Sequence, residues 1–156
     1  MKQIMLLLLI SLFGQQMCAQ IASPVKPYYT LSKKEIKKGD VVTLIFTLQL
    51  EDHWHLYSNL QNYKLGPLPA IFEFEPHPSY KLLDDMIPIG SKMEHEPIFD
   101  VDVHYFDKIA EFRQKIKICT DKPIVKGYYE YQICHVLEGK CLFKTDNFEF
   151  KIKTIN

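Results

Sequence analysis

The sequence predicts an all-β chain folded as an antiparallel β-sandwich of about seven to nine strands. Three observations lead there. Several segments place apolar residues at every second position, the period of a half-buried strand. Clusters of turn-forming residues separate these segments at short intervals. Helical periodicity is scarce throughout.

The strand candidates follow in order. Val41–Leu50 (VVTLIFTLQL) is rich in β-branched residues, and Trp54–Ser58 resumes after a short polar break. Ala70–Glu75 alternates with Phe72 and Phe74 in phase and Ile71 out of step. Val101–Phe106 (VDVHYF) comes next. Ala110–Ile118 sets Phe112, Gln114, Ile116 and Ile118 on one face and Arg113, Lys115 and Lys117 on the other. Ile124–Cys134 is long and aromatic. Leu142–Ile152 ends with Phe148, Phe150 and Ile152 opposite Glu149, Lys151 and Lys153. The breaks are Lys38-Gly39-Asp40, Gly66-Pro67, Pro76-His77-Pro78, Ile89-Gly90-Ser91 and Asp121-Lys122-Pro123. Leu31–Lys38 (LSKKEIKK) reads either as one turn of helix or as an edge strand protected by lysines. Asp84-Asp85 falls in an expected loop, where a solvated surface is the default for adjacent carboxylates. From Pro88 to Asp100 (PIGSKMEHEPIFD) there is no clean period, and an irregular loop of that length in a compact domain is often functional.

At the N-terminus, Lys2 precedes an apolar run from Ile4 to Phe13, and small or polar residues follow around Ala19 and Gln20. That order of features is a secretory signal peptide, and the run is shorter than the roughly 20 residues that span a bilayer. We expect residues 1–20 to be the signal and 21–156 to be one domain exported to the periplasm. Lipid attachment at Cys18 is disfavoured, because Gln15, Gln16 and Met17 are a poor match to the small-residue context of that processing. Without residues 1–20, the 156-residue chain keeps 136 residues, 18 basic and 19 acidic side chains and a net charge of −1. No basic field favours nucleic acid or an anionic membrane. No later stretch is apolar enough to be a transmembrane helix.

Other chemistry is thinly represented. No glycine-rich phosphate loop and no nucleophile elbow appears. His53, His55, Met93, His95 and Cys134-His135 could suggest a copper site on ligand type. Strand histidines beside a tryptophan are more often half-buried neighbours, so no metal and no cofactor is expected.

The strongest local feature is Tyr131-Gln132-Ile133-Cys134 followed by Cys141, with six residues between the two cysteines. Strands on both sides suggest a hairpin with the cysteines opposed across its mouth, where Cα atoms lie about 4.5–5.5 Å apart and a disulfide can form. Export would let such a bond persist. Two functions stay open on spacing alone. One is a structural bridge in a non-catalytic exported binding module, and the other is a redox-active pair. As a staple the bond is weak: closing about 8 residues is worth about 2.5 kcal/mol, against about 4.7 for 100 residues. Cys119 ends a strand and is expected to be a buried, unpaired thiol.

Over about Val41 to Phe150 the chain resembles the N-terminal domain of the DsbD family of thiol:disulfide interchange proteins. The resemblance rests on Tyr131-Gln132-x-Cys134 with its second cysteine, on Asp52-His53-Trp54-His55-Leu56-Tyr57, on Phe99–Phe106 with Phe112-Arg113-Gln114, and on Gly127 ahead of the motif. It implies an immunoglobulin-like sandwich that passes electrons by disulfide exchange, with Cys134 and Cys141 as the redox pair and Cys141 forming the mixed disulfide. It further implies that Glu94–Phe99 caps the pair, with Phe99 the first choice for the covering residue and Ile98 the second. Tyr57 and Tyr131 would flank the sulfurs, and Glu94 and Glu96 would make the pocket acidic. The implied partners are thioredoxin-like proteins or a membrane electron-conduit protein, separately encoded. Two features depart from the family: the inter-cysteine loop is longer, and Leu142-Phe143-Lys144 lacks the prolines expected there.

Overall fold

The computed structural model describes residues 23–97 and 99–155. The expected signal segment, Cys18 and Ile98 lie outside them. Among the described residues there are ten strands and no helix. Strands β1 (Val25–Leu31), β2 (Val41–Leu50), β8 (Ile109–Ile118) and β5 (Tyr80–Ile89) form one antiparallel sheet in the order β1-β2-β8-β5. The other sheet runs β10 (Lys140–Lys151), β9 (Ile124–His135), β3 (Trp54–Tyr57), β7 (Val101–Phe106), β6 (Lys92–Glu96), with β4 (Ile71–Phe74) also pairing with β9. No helix among the described residues is long and apolar enough to cross a membrane.

Alternation decides which residues fill the sandwich. Val42, Leu44, Phe46 and Leu48 of β2 meet Tyr129, Tyr131 and Ile133 of β9 and Phe148 and Phe150 of β10 in one buried cluster. Phe46 makes edge-on contacts with Phe72, Phe74, Tyr129, Phe148 and Phe150, an arrangement that aromatic quadrupoles favour over face-to-face stacking. Gly127 permits β4 to lie against β9: a Cβ at that position would overlap the Glu73 carbonyl and the Phe148 ring.

Three segments differ from expectation. Leu31–Lys38 is neither helix nor edge strand beyond Leu31; residues 32–40 make bends and a turn that push Ile36 into the core at 1% exposure. Asp84-Asp85 is not in a loop but at a bulge inside β5, where the register shifts between Leu83 and Ile87 and Asp84 takes φ 59°. The buried Gln114 amide satisfies that bulge, donating to the carbonyls of Leu83 (2.8 Å) and Asp84 (3.1 Å). Two extra residues in β5 interrupt the period-two pattern there, which hides the strand from a reading by alternation. The Pro88–Asp100 stretch is not one irregular loop. It ends β5, turns at Gly90 (φ 77°), forms β6, and has turn residues at Pro97, Phe99 and Asp100 ahead of β7. β6 is an edge strand and exposed except at Glu96, so it carries no apolar alternation to read.

Candidate functional site

Cys134 near the end of β9 and Cys141 near the start of β10 are directly opposed, with Cα atoms 4.0 Å apart, and their sulfurs are bonded. The hairpin joining them turns through Val136–Gly139. Gly139 takes φ 63°, its N–H donates to the His135 carbonyl (2.9 Å), and the Glu138 N–H donates to His135 Nδ1 (3.2 Å). The left-handed φ is one that glycine adopts without steric cost.

Strand parity decides the surroundings of the sulfurs. In β9, Tyr129, Tyr131 and Ile133 face the core, so Gln132 and Cys134 face outward. His55 of β3 is the Cα partner of Cys134, and Tyr57 of β3 is the partner of Tyr105 of β7. Glu94 and Glu96 of β6 pair with Val103 and Val101. These outward-facing side chains, together with Pro67, Pro97 and Phe99, line a pocket of about 540 Å³ against the disulfide. Cys141 is exposed and Cys134 half-buried.

The pocket is acidic and partly dry. His55 Nδ1 lies 4.0 Å from Glu94 Oε1, and its ring stacks on Tyr105 with centroids 4.3 Å apart. Burial pushes the His55 pKa below its ordinary value and outweighs the opposing pull of Glu94 and Asp107, so the neutral imidazole is favoured. Burial, followed by the charges of Glu96 and Glu94, lifts Tyr57 to about 12. Tyr105 is likewise raised, first by burial and then by its hydrogen bond to Glu94. Gln132 is buried, accepting the Leu68 N–H at Oε1 (2.6 Å) and placing Nε2 3.4 Å from Cys134 Sγ.

The structure therefore gathers Cys134, Cys141, Tyr57, Glu94, Glu96 and Phe99 at one pocket. It sets Tyr131 apart. Three residues from Cys134, Tyr131 lies on the opposite face of β9, stacked on Tyr129 with its hydroxyl donating to Asp146 (2.8 Å). His55, weighed from sequence only as a copper ligand, and Gln132, read only as part of the motif, join the pocket. The histidine–methionine constellation is split. Met93 and His95 alternate with Glu94 and Glu96 along β6, and His95 pairs with Asp100 (3.3 Å) and Asp102 (3.2 Å). Among the described residues no group of three His, Cys, Asp or Glu side chains is placed to hold a metal ion. Cys119 is free and half-buried rather than fully buried. It sits just beyond β8 in the other sheet, where its N–H donates to the Ser79 carbonyl (2.8 Å).

Residues 22–152 match the family model described as thiol:disulfide interchange protein DsbD, N-terminal. The fold is also similar to solved structures. The DsbD N-terminal domain of Neisseria meningitidis in the reduced form superposes with a TM-score of 0.52 at 14% identity, covering 85% of this chain and 87% of that one. The N-terminal periplasmic domain of ScsB from Proteus mirabilis gives a TM-score of 0.56 at 13% identity, covering 83% of this chain and 47% of that one. No curated protein sequence matches the chain.

Proposed function

The chain belongs to the DsbD N-terminal domain family, a family of thiol–disulfide exchange domains with the immunoglobulin-like sandwich, and we propose from that premise that Cys134 and Cys141 are its exchange pair, passing electrons between partner proteins. The observation that carries this is placement. The disulfide sits on the outward face of its sheet, at a shaped acidic pocket, with Cys141 exposed. A staple gains little from that position, since β9 and β10 already pair over their whole length and the bond closes only a short loop.

In the exchange step, a partner thiolate attacks Cys141 Sγ. A partner–Cys141 bond forms, the Cys134–Cys141 bond breaks, and its electron pair leaves on Cys134 as a thiolate, which then takes a proton from water. A second partner thiol displaces Cys141, so the pair gains two electrons and two protons while the partner becomes a disulfide; the reverse sequence oxidises the pair. Glu94 and Glu96 disfavour thiolate at the sulfurs and keep the reduced pair slow to react alone. Phe99, in the connection between β6 and β7, is the cap that a partner displaces. Residues 1–20 direct export, residues 21–156 form the exchange domain in the periplasm, and the partners are thioredoxin-like proteins or a separately encoded membrane electron conduit.

Equilibration with glutathione tests the reading. An exchange pair titrates above about −300 mV, and a potential below that marks a structural bond. A Cys134→Ser chain should also trap a thioredoxin-like protein in a mixed disulfide through Cys141; an adduct through Cys119 would count against the assignment.

A further inference from the structure

Gln132 is 8% exposed, and both ends of its amide are engaged. Oε1 accepts the backbone N–H of Leu68 at 2.6 Å. Because that partner is a donor, chemistry fixes which end of the amide faces it, and Nε2–H is left to point at Cys134 Sγ, 3.4 Å away. A disulfide sulfur is a weak acceptor, whereas a thiolate is a strong one. The contact therefore strengthens as the bond opens, and an interaction that is stronger after the start of reaction lowers the barrier.

We propose, resting on the exchange reading of the pair, that Gln132 is a catalytic residue of disulfide exchange whose side-chain N–H receives the negative charge developing on Cys134. This assigns Cys134 as the leaving sulfur and Cys141 as the attacked one, in keeping with the exposure of Cys141 and the half-burial of Cys134. In balance, the incoming thiolate bonds to Cys141, the Cys134–Cys141 pair of electrons moves to Cys134, and the Gln132 N–H stays on nitrogen throughout as a hydrogen-bond donor. The titratable groups around this sulfur are His55 and Tyr57 of β3, Glu94 and Glu96 of β6 and His135 of β9. The two carboxylates oppose thiolate at either cysteine. Gln132 offsets that opposition at Cys134 alone, so the two sulfurs of one disulfide become unequal leaving groups. The Leu68 bond adds a structural link: it ties the wall of the pocket before β4 to the sulfur, so the donor is held in place before the partner arrives.

The test uses chains that carry Cys119→Ser throughout, so that removing one cysteine of the pair leaves the other as the thiol that is followed. In a Cys141→Ser chain, the side-chain amide proton resonance of Gln132 should move downfield with the Cys134 titration. In the same background Gln132→Met should raise the pH at which Cys134 becomes open to alkylation. In a Cys134→Ser chain the same substitution should leave the Cys141 titration where it was. With both cysteines present, Gln132→Met should slow reduction of the disulfide by dithiothreitol roughly three- to tenfold, because a more basic leaving thiol departs more slowly. A Gln132 resonance that ignores the Cys134 titration overturns the proposal, and because that measurement needs no change at Gln132 it decides even if Gln132→Met folds poorly. Equal shifts of both cysteines in Gln132→Met would overturn it too, by showing a general disturbance. If the resonance responds while the potential of the intact pair proves structural, the exchange reading fails and the contact stands.

Discussion

Phe99→Ala separates a cap from a core residue. Phe99 is 40% exposed at the turn between β6 and β7, and it lines the pocket with both cysteines without belonging to the buried cluster of the sandwich. A Phe side chain buries about 200 Å² at most; with some 60% of it covered and the alanine retaining part, about 80 Å² of apolar surface returns to water. At about 25 cal/mol per Å² the loss is about 2 kcal/mol, an upper bound because the unfolded chain is itself partly compact. Phe112, at 0% exposure, supplies the contrast, since a fully buried Phe→Ala costs about 3–5 kcal/mol. The same 2 kcal/mol also bounds the kinetic gain. If the ring must swing aside before a thiolate reaches the sulfurs, removing it can speed reduction by no more than about thirtyfold, at about 1.4 kcal/mol per factor of ten. The assay pairs urea unfolding of the oxidised chain with its rate of reduction by dithiothreitol. The expected result is a modest fall in stability and a severalfold faster reduction. Stability falling as far as in Phe112→Ala with an unchanged reduction rate would refute the cap and place Phe99 among the supporting residues.

Three further outcomes follow from the geometry. Reducing the Cys134–Cys141 bond should lower stability by no more than about 2.5 kcal/mol and preserve the near-UV circular dichroism, since the twelve paired positions of β9 and β10 hold the hairpin; loss of that signal would point to a structural bond. Gly127→Ala should destabilise by about 1–3 kcal/mol, toward the upper end because the obstructing atom is the Glu73 backbone oxygen, and urea unfolding of the variant checks it. His55 has a folded pKa below its ordinary 6.5, so the unfolded chain binds the proton more readily and stability rises with pH across the window below 6.5. That contribution is lost as pH falls through the window, and a melting-temperature profile of His55→Gln should be flatter there than that of the parent chain; parallel profiles would remove His55 as the cause.

Where one face of a strand is apolar and the other charged, the sequence could be read directly. β8 and β10 satisfy this, and their core residues Phe112 and Phe148 lie where alternation put them, while β2 was legible from its β-branched residues. The opposition of Cys134 and Cys141 was legible too, because two strands closed by a short loop leave few registers. β5 and β6 were not legible, for different reasons. The bulge at Asp84 interrupts the alternation of β5 halfway along, and β6 has no buried face to give it a phase. At the site, parity alone was enough to put Tyr131 on the far side of β9 from Cys134 and to bring Gln132 to the near side. What parity along one strand could not supply was the partner across the sheet. His55 meets Cys134 only because β3 pairs with the last turn-ward residues of β9, and that pairing depends on long-range topology rather than local pattern.

The outward face of the six-stranded sheet is itself packed, and this bears on how chemistry and stability are divided. Val103 and Tyr57 are buried at 0% and 8% exposure, yet neither belongs to the cluster between the sheets. With Gln132 they make a small second layer beneath the pocket. That layer keeps water from the polar groups beside it, which is why burial is the leading cause of the shifts at both His55 and Tyr57. Interactions around the sulfurs act there in a lower dielectric than at an open surface, where one hydrogen bond or one carboxylate has more influence on a thiolate. The large aromatic core meanwhile lies on the other side of the same strands and does not depend on the sulfur–sulfur bond. On the proposed exchange reading this arrangement suits a pair that opens and closes repeatedly: its surroundings are preorganised by one layer, while the fold is held by another that the reaction does not touch.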